Sequence, residues 1–481
     1  MWKIVLDFWW LTALLAVVGA LWASGHAVLY KRDVRAAVGW VGFIWIAPFM
    51  GPLAYLLFGI NRIQRRAGRK RRNRPRLSAP ESELRVDLLK DTHVLGGLGT
   101  LASLENLVGQ LVDRPLLRGN HLEPLYDGDA AYAAMCGAIR EAQHSVSMVS
   151  YIFDNDRAGA MFVEALKEAA ARGVAVRVLV DAVGRRYSWK PIDTVLAEEG
   201  VPAGRFMQTF LPWKMTFANL RNHRKILVVD GRLGFTGGMN IREGHMPSMN
   251  SDHPIQDMHF SLRGPIVGQL QEVFAEDWAF TTGEILEGDK WFPALSPEGE
   301  MLARGIADGP DEDFDKLRWA LLGALACARS SVRIMTPYFL PDPPLISSLN
   351  VAAMRGVQVE ILLPEKNNLA FVQWASTGML WQVLQQGCRV YAVPPPFDHS
   401  KLMVVDGVWA LIGSANWDPR SLRLNFEFNV EVYDRALAGE LHDYMGQKIA
   451  QSREISLDDL AQRPMRIQLR DGIARLFSPY M

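Results

Sequence analysis

Cysteine is scarce: Cys136, Cys327 and Cys388 are the only three in 481 residues. Their odd number and wide spacing exclude a disulfide framework and a CxxC zinc site, and suit reduced thiols packed in a cytosolic domain. An excess of charge of one sign is also missing, because Lys plus Arg and Asp plus Glu both total 52. Net charge therefore carries no footprint of a nucleic-acid partner. The charge asymmetry that exists is local: Arg62, Arg65, Arg66, Arg69, Lys70, Arg71, Arg72, Arg74 and Arg76 crowd into one stretch. Apolar residues make up 49% and charged residues 22%, a balance that suits a globular enzyme with some membrane-embedded length. The chain is too long for one ordinary core, so two or three domains are expected.

Two apolar runs open the chain, Phe8 to Tyr30 and Ala36 to Ile60. Each exceeds the roughly 20 residues that a helix needs to cross a bilayer. A cleaved signal peptide would have a basic start and a shorter apolar core; Asp7 and the length of the first run argue against one. A two-helix transmembrane hairpin is expected over 1–61, then a basic linker and connecting segment over 62–117. A basic cluster of this kind stays cytoplasmic and binds anionic headgroups, which places both termini and the body in the cytoplasm. Lys31, Arg32 and Arg35 in the connecting loop fit a spanning hairpin poorly and a shallow re-entrant one better. Both topologies stay open on sequence.

The body repeats itself. Ser145 to Phe153 matches Ser331 to Phe339, and Arg172 to Val180 matches Arg355 to Leu363. Ala134, Gly137, Ala138 and Ala142 align with Ala320, Gly323, Ala324 and Ala328, and Asp127-Gly128 aligns with Asp308-Gly309. Short β-branched runs alternate with amphipathic helices, the pattern of a layered α/β fold. Two α/β/α units are expected to pack around a pseudo-twofold axis, one over 118–290 and one over 291–450. A tail follows over 451–481. Its mixture of Arg with Ile, Leu and Phe fits a membrane-proximal segment or a docked C-terminal helix equally. The connection from Phe206 to Asn222 is longer than its counterpart, and suits an interfacial loop or a packing loop.

One further segment recurs with identical spacing. His223-x-Lys225 leads to Asp230-Gly231 and Gly237-x-x-Asn240; His399-x-Lys401 leads to Asp406-Gly407 and Gly413-x-x-Asn416. Side chains at i and i+2 of a strand share a face, so each His sits beside its Lys while Arg224 or Ser400 points away. Two facing copies would surround one phosphate with paired His, Lys and Asn. Paired histidines permit a nucleophile and an acid on opposite sides of phosphorus. Lysine and asparagine neutralise the non-bridging oxygens. Each imidazole needs a partner that fixes its tautomer; Asp257 and Glu427 are the candidates. Asp230 and Asp406 complete the catalytic signature, but they lie at strand ends and are expected to support the strand. Lysine is not a metal ligand, so neither a metal nor another cofactor is expected. None of His26, His93, His121, His144, His245, His253, His259 and His442 is assigned to catalysis.

This doubled pattern resembles the HKD motif of the phospholipase D superfamily, over roughly Arg118 to Asp434. A narrower resemblance, to bacterial cardiolipin synthases, covers nearly the whole chain. It rests on the hairpin, the basic linker, TPYFLP at 336–341, LPEKNN at 363–368, NWDPRSLRLNFE at 416–427 and the LFSPYM ending. It implies an enzyme of the bacterial inner membrane, multi-pass, acting on phosphatidylglycerol and related phospholipids and not on nucleic acid. Its implied reaction moves a phosphatidyl group from one phosphatidylglycerol to another through a phosphatidyl-histidine, giving cardiolipin and glycerol. It favours His223 as nucleophile and His399 as acid, then base. Where the second copy has Ser414 the first has Gly238, so a phosphate-holding hydroxyl could come only from Ser414. The rivals are a phospholipase D hydrolase and a transferase using phosphatidylethanolamine. The oligomeric state is not legible.

Overall fold

The computed structural model describes residues 9–31, 34–59, 84–86, 88, 101–206, 220–310 and 313–478. The basic cluster at 62–76, Arg32, His93, most of the long connection at 206–222 and the last three residues lie outside them, with the expectations placed there. The chain divides into an N-terminal unit and a body.

In the N-terminal unit the first apolar run forms one helix, Trp9–Tyr30. Among the described residues it is the one helix long and apolar enough to cross a membrane. The second run departs from the expected continuous span. It forms Val34–Ile46, breaks, and resumes as Met50–Ala54 with one further turn, Tyr55–Gly59. Pro48 explains the break: it offers no N–H and disfavours helical geometry at Ala47. The chain then doubles back so tightly that a Cβ on Gly51 would lie 2.5 Å from the Ile44 Cα. Ala20, Ala23 and Ala27 are fully buried against Ile44 and Tyr55, small residues that let helices approach closely. Leu14, Leu15, Val18, Leu21 and Trp22 face outward.

In the body, the first copy contributes β1 (Leu117–Leu125), β2 (Ser145–Ser150), β3 (Ala175–Asp181), β4 (Ala203–Phe206), β5 (Arg221–Asn222), β6 (Ile226–Val229), β7 (Leu233–Gly237), β8 (Ile255–Gln256) and β9 (His259–Arg263). The second contributes β10 (Met301–Asp308), β11 (Ser331–Met335), β12 (Gln358–Pro364), β13 (Arg389–Val393), β14 (Phe397–Asp398), β15 (Leu402–Val405), β16 (Trp409–Gly413), β17 (Asn425–Tyr433) and β18 (Arg453–Ile455). One continuous sheet runs β4-β3-β2-β6-β7-β9-β1, then β10-β17-β16-β15-β11-β12-β13-β18. The second series is the first read backwards, with β18 added at the far edge. A path that reverses about the antiparallel β1–β10 seam is what a local twofold produces.

The central strands are buried along their whole length: SVSMVS in β2, ILVV in β6 and LMVV in β15. Side chains alternate across a strand, so burial at every position requires cover on both faces. Matched helices supply part of it. Arg157–Ala171 buries Phe162, Val163, Leu166 and Ala169 from one face, and its first turn is capped by Asp156 accepting from Gly159 N. Pro343–Met354 buries Leu345, Ile346, Leu349 and Ala352, capped by Asp342 accepting from Leu345 N. Proline at its start sacrifices an N–H that would be unpaired anyway.

Candidate active site

Each candidate histidine follows a two-residue strand lent to the opposite copy. β5 pairs in parallel with β17, Asn222 opposite Phe426, and β14 pairs in parallel with β8, Asp398 opposite Gln256. His223 N then donates to Phe426 O at 2.9 Å, and His399 N donates to Gln256 O at 2.7 Å. The next step of each register sets His223 against Glu427 and His399 against Asp257. Their side chains meet: His223 Nδ1 lies 2.9 Å from Glu427 Oε2, and His399 Nδ1 lies 2.8 Å from Asp257 Oδ2. Both expected carboxylates reach a histidine, each the histidine of the other copy. Chain order carries no sign of this crossing, because pairing between the halves creates it.

All four groups are buried, and the two pairs differ electrostatically. Burial raises Glu427, but His223, Lys225 and Ser414 outweigh it and hold the carboxylate below its ordinary range. Burial pushes Asp257 up. It pulls His223 down against the attraction of Glu427, and drives His399 well below its ordinary value, helped by Lys401 and Lys225. The acceptors around each Nδ1 place its proton. His223 Nδ1 also lies 3.1 Å from Ser414 O. A carbonyl only accepts, so Nδ1 carries the proton and Nε2 is bare. His399 Nδ1 lies 3.0 Å from Lys401 Nζ. It lies nearer still to Asp257 Oδ2, and a carboxylate only accepts, so this Nδ1 also carries its proton, as in His223.

Lys225 Nζ donates to His223 O at 2.7 Å, and Lys401 Nζ donates to His399 O. Burial lowers the two ammonium groups to about 7 and about 8, so each sits where its charge responds to an arriving anion. Arg224 points to the other side, into a buried ion pair with Asp277 at 2.6 Å. Asn240 Oδ1 accepts from Ile152 N at 3.2 Å, which leaves its NH2 to donate elsewhere. Asn416 is buried and its Oδ1 has no protein partner among the described residues.

Ser414 departs from the phosphate-holding expectation. Its hydroxyl donates to Glu427 Oε2 at 2.5 Å and accepts from Phe428 N at 3.0 Å. It therefore anchors the carboxylate that orients His223. In the first copy a Cβ on Gly238 would lie 2.4 Å from Asp257 Oδ1, so no hydroxyl fits there. Asp230 and Asp406, named with the catalytic signature, bond to backbone. Asp230 accepts from the N–H groups of Gln143, His144 and Ser145. Asp406 accepts from those of Arg329, Ser330 and Ser331 and from the Ser330 hydroxyl. Each residue has positive φ, 51° and 53°, a conformation Asp tolerates better than most residues.

Sequence reasoning missed two aromatic neighbours. Tyr151 stands 5.0 Å from the His223 ring, and Tyr338 stands 6.1 Å from the His399 ring, centroid to centroid. Both lie in the segments that align as Ser-Tyr-Ile-Phe and Thr-Pro-Tyr-Phe, so the repeat held the signal. His245 and His259 are buried and their ring nitrogens have no protein partner among the described residues. Burial lowers both to about 3, which keeps them neutral. Among the described residues no three His, Cys, Asp or Glu side chains gather as metal ligands.

Comparison with known proteins agrees with this geometry. Residues 135–278 and 321–449 each match the family described as cardiolipin synthase, PLD-like domain, and residues 14–59 match the phospholipase D-nuclease N-terminal family. A cardiolipin synthase of Geobacillus thermodenitrificans is 33% identical over 94% of this chain and 90% of its own length. Cardiolipin synthase A of Pseudomonas entomophila is 31% identical over 98% of both. The phosphatidylserine synthase of Haemophilus influenzae, a solved structure, superposes with a TM-score of 0.60 over 79% of this chain and 100% of its own, at 14% identity, a likeness of fold.

A duplicated α/β domain whose two histidines, two lysines and two carboxylates converge across a local twofold is a phospholipase D-type enzyme, of the general phosphatidyltransferase class. Within that class the chain belongs to the bacterial cardiolipin synthase family.

Proposed function

We propose that this chain transfers a phosphatidyl group from one phosphatidylglycerol to the terminal hydroxyl of another, releasing glycerol and forming cardiolipin. The observation that carries the reading is the crossed pairing, which ties each histidine to a buried carboxylate of the other copy and so supports one shared site. His223 offers a bare Nε2, with Nδ1–H held by Glu427 and Ser414 O. That nitrogen attacks phosphorus, and Glu427 stabilises the imidazolium that forms. Once the substrate phosphate is bound, His399 carries a proton on both nitrogens, with Nδ1–H toward Asp257, and gives its Nε2 proton to the departing glycerol oxygen, becoming a neutral imidazole. A phosphatidyl-histidine and free glycerol remain. His399, now the base, takes the proton of the incoming hydroxyl as its oxygen attacks phosphorus and His223 leaves. Lys225, Lys401, Asn240 and Asn416 neutralise and hold the non-bridging oxygens. One phosphodiester replaces another, so the reaction needs no nucleotide and runs in both directions.

The apolar helix Trp9–Tyr30 and the basic stretch after residue 61 support a place in the inner membrane with the body in the cytoplasm, the broken second segment completing a multi-pass or re-entrant anchor. Purified chain given phosphatidylglycerol alone should produce cardiolipin and glycerol by mass spectrometry, and excess glycerol should convert cardiolipin back. Phosphatidic acid as the main product would identify a hydrolase instead. Turnover only after addition of phosphatidylethanolamine would identify the other transferase.

A further inference from the structure

The C-terminal tail folds as a helix, Met465–Leu476, preceded by a short one, Leu457–Ala461. Asp471 and Ala474 dock it on the helix Ala370–Thr377. Asp471 is gripped by Arg463 at 2.5 Å and Arg470 at 2.7 Å. The approach is close: a Cβ on Gly378 would lie 2.8 Å from Asp471 O. A helix secured in this way needs nothing from its other face.

That other face is apolar and open. Met465 is 78% exposed, Leu469 62%, Ile473 48% and Leu476 70%. At about 100° per residue these four fall within an arc of about 80°. Phe477 widens the stripe and stands 5.8 Å from Phe371, which is itself 43% exposed beside Leu369 at 49%. Arg466 and Arg470 fall on one flank of the same arc, and the Arg470 guanidinium lies 4.4 Å from the Trp374 ring. An apolar arc flanked by arginine is the pattern of a helix lying in a bilayer interface among anionic headgroups.

The patch also connects to the catalytic centre. Leu369 follows Asn368, whose Oδ1 accepts from Tyr338 Oη at 2.9 Å. Asn367 Nδ2 donates to Pro337 O at 2.7 Å. Tyr338 is the ring beside His399. A single packed path thus runs from the exposed stripe to the rim of the paired histidines. We infer that the face formed by Met465, Leu469, Ile473, Leu476, Phe477 and Phe371 is a second membrane contact, seated on an anionic lipid surface and bringing the rim of the site to it. This deepens the proposed function, since it supplies the surface from which a lipid substrate would enter.

The test uses the full chain in vesicles and does not depend on turnover. On a Cys327→Ser background, which leaves the two buried thiols Cys136 and Cys388, an environment-sensitive fluorophore is placed at Leu469→Cys or, as an exposed reference, at Glu141→Cys. Acrylamide then reports exposure. In vesicles containing phosphatidylglycerol the label at 469 should be quenched several-fold less than the label at 141. The difference should shrink in pure phosphatidylcholine and with Arg466→Glu. Equal quenching at the two positions in anionic vesicles would overturn the proposal. So would shielding that follows the number of chains per vesicle rather than lipid composition, because it would identify a second copy as the occupant. In a separate activity arm, Leu469→Asp with Ile473→Asp should lower turnover of bilayer lipid by about tenfold and leave turnover of dispersed short-chain lipid unchanged. Loss on both substrates would overturn the role in substrate delivery.

Discussion

Replacing His399 by alanine separates the two halves of the proposed reaction. In that scheme His399 supplies the proton that lets glycerol leave, and general-acid catalysis of this kind contributes about 10²–10⁴-fold in rate, or ~3–5 kcal/mol of barrier. With phosphatidylglycerol as donor, His399→Ala should lose activity by that factor. A donor whose leaving group departs as a stable anion needs no proton, so the first step should recover most of its rate. The structure supports that recovery: His223 is oriented by Glu427 and Ser414 O, both bonded to it independently of His399. The second step still lacks its base and stays slow, so a covalent phosphatidyl adduct accumulates. His223→Ala should form no adduct with either donor. The assay is a lipid labelled in the phosphatidyl group, rapid quenching and peptide mapping. Label on His399, or an adduct in the His223→Ala protein, would refute the assignment of His223 as nucleophile.

Ser414→Ala removes a donor from a buried carboxylate, an interaction worth about 1.5–3 kcal/mol. It should lower kcat at least about tenfold with little change in KM. Because Glu427 loses a contact that keeps it ionised, the acid limb of the rate profile should move to higher pH. Asp406→Asn keeps a residue that tolerates positive φ and loses only charge, whereas Asp406→Ala also adds backbone strain. Thermal melts should show Asn costing about 2 kcal/mol and Ala more, with near-normal activity per folded molecule. Burial raises Asp406, yet its backbone donors win and hold its pKa below the ordinary value. Its stabilisation is therefore complete at neutral pH and fades as pH falls through the lowered folded value. Burial lowers Lys225 to about 7 and Lys401 to about 8. Inorganic phosphate should bind more weakly as pH rises through that range, and calorimetry in buffers of different ionisation enthalpy should register proton uptake on binding.

Much of the body was legible because a duplicated sequence states its own pattern twice. The His-Lys spacing, the apolar strands after each motif and the carboxylates Asp257 and Glu427 are all visible along the chain. The partner of each carboxylate is not, since it depends on β5 lying beside β17 and β14 beside β8. Ser414 could be noticed as the odd member of an aligned pair, but only the position of Glu427 shows where its hydroxyl goes. Tyr151 and Tyr338 sit one column apart in the repeat alignment and so hide from strict matching. The second apolar run misled by its composition. Hydrophobicity over 25 positions suggests one span, while Pro48 and the tight approach at Gly51 divide it.

The crossed pairing makes chemistry conditional on a finished chain. While the first copy is being made, His223 has no Glu427 to set its tautomer, because that residue arrives 204 positions later. Asp257 likewise waits for His399. His399 meets Asp257 where β14 lies beside β8, and His223 meets Glu427 only where β17 lies beside β5. A chain that stops before β17 therefore lacks the carboxylate that His223 meets in the finished fold.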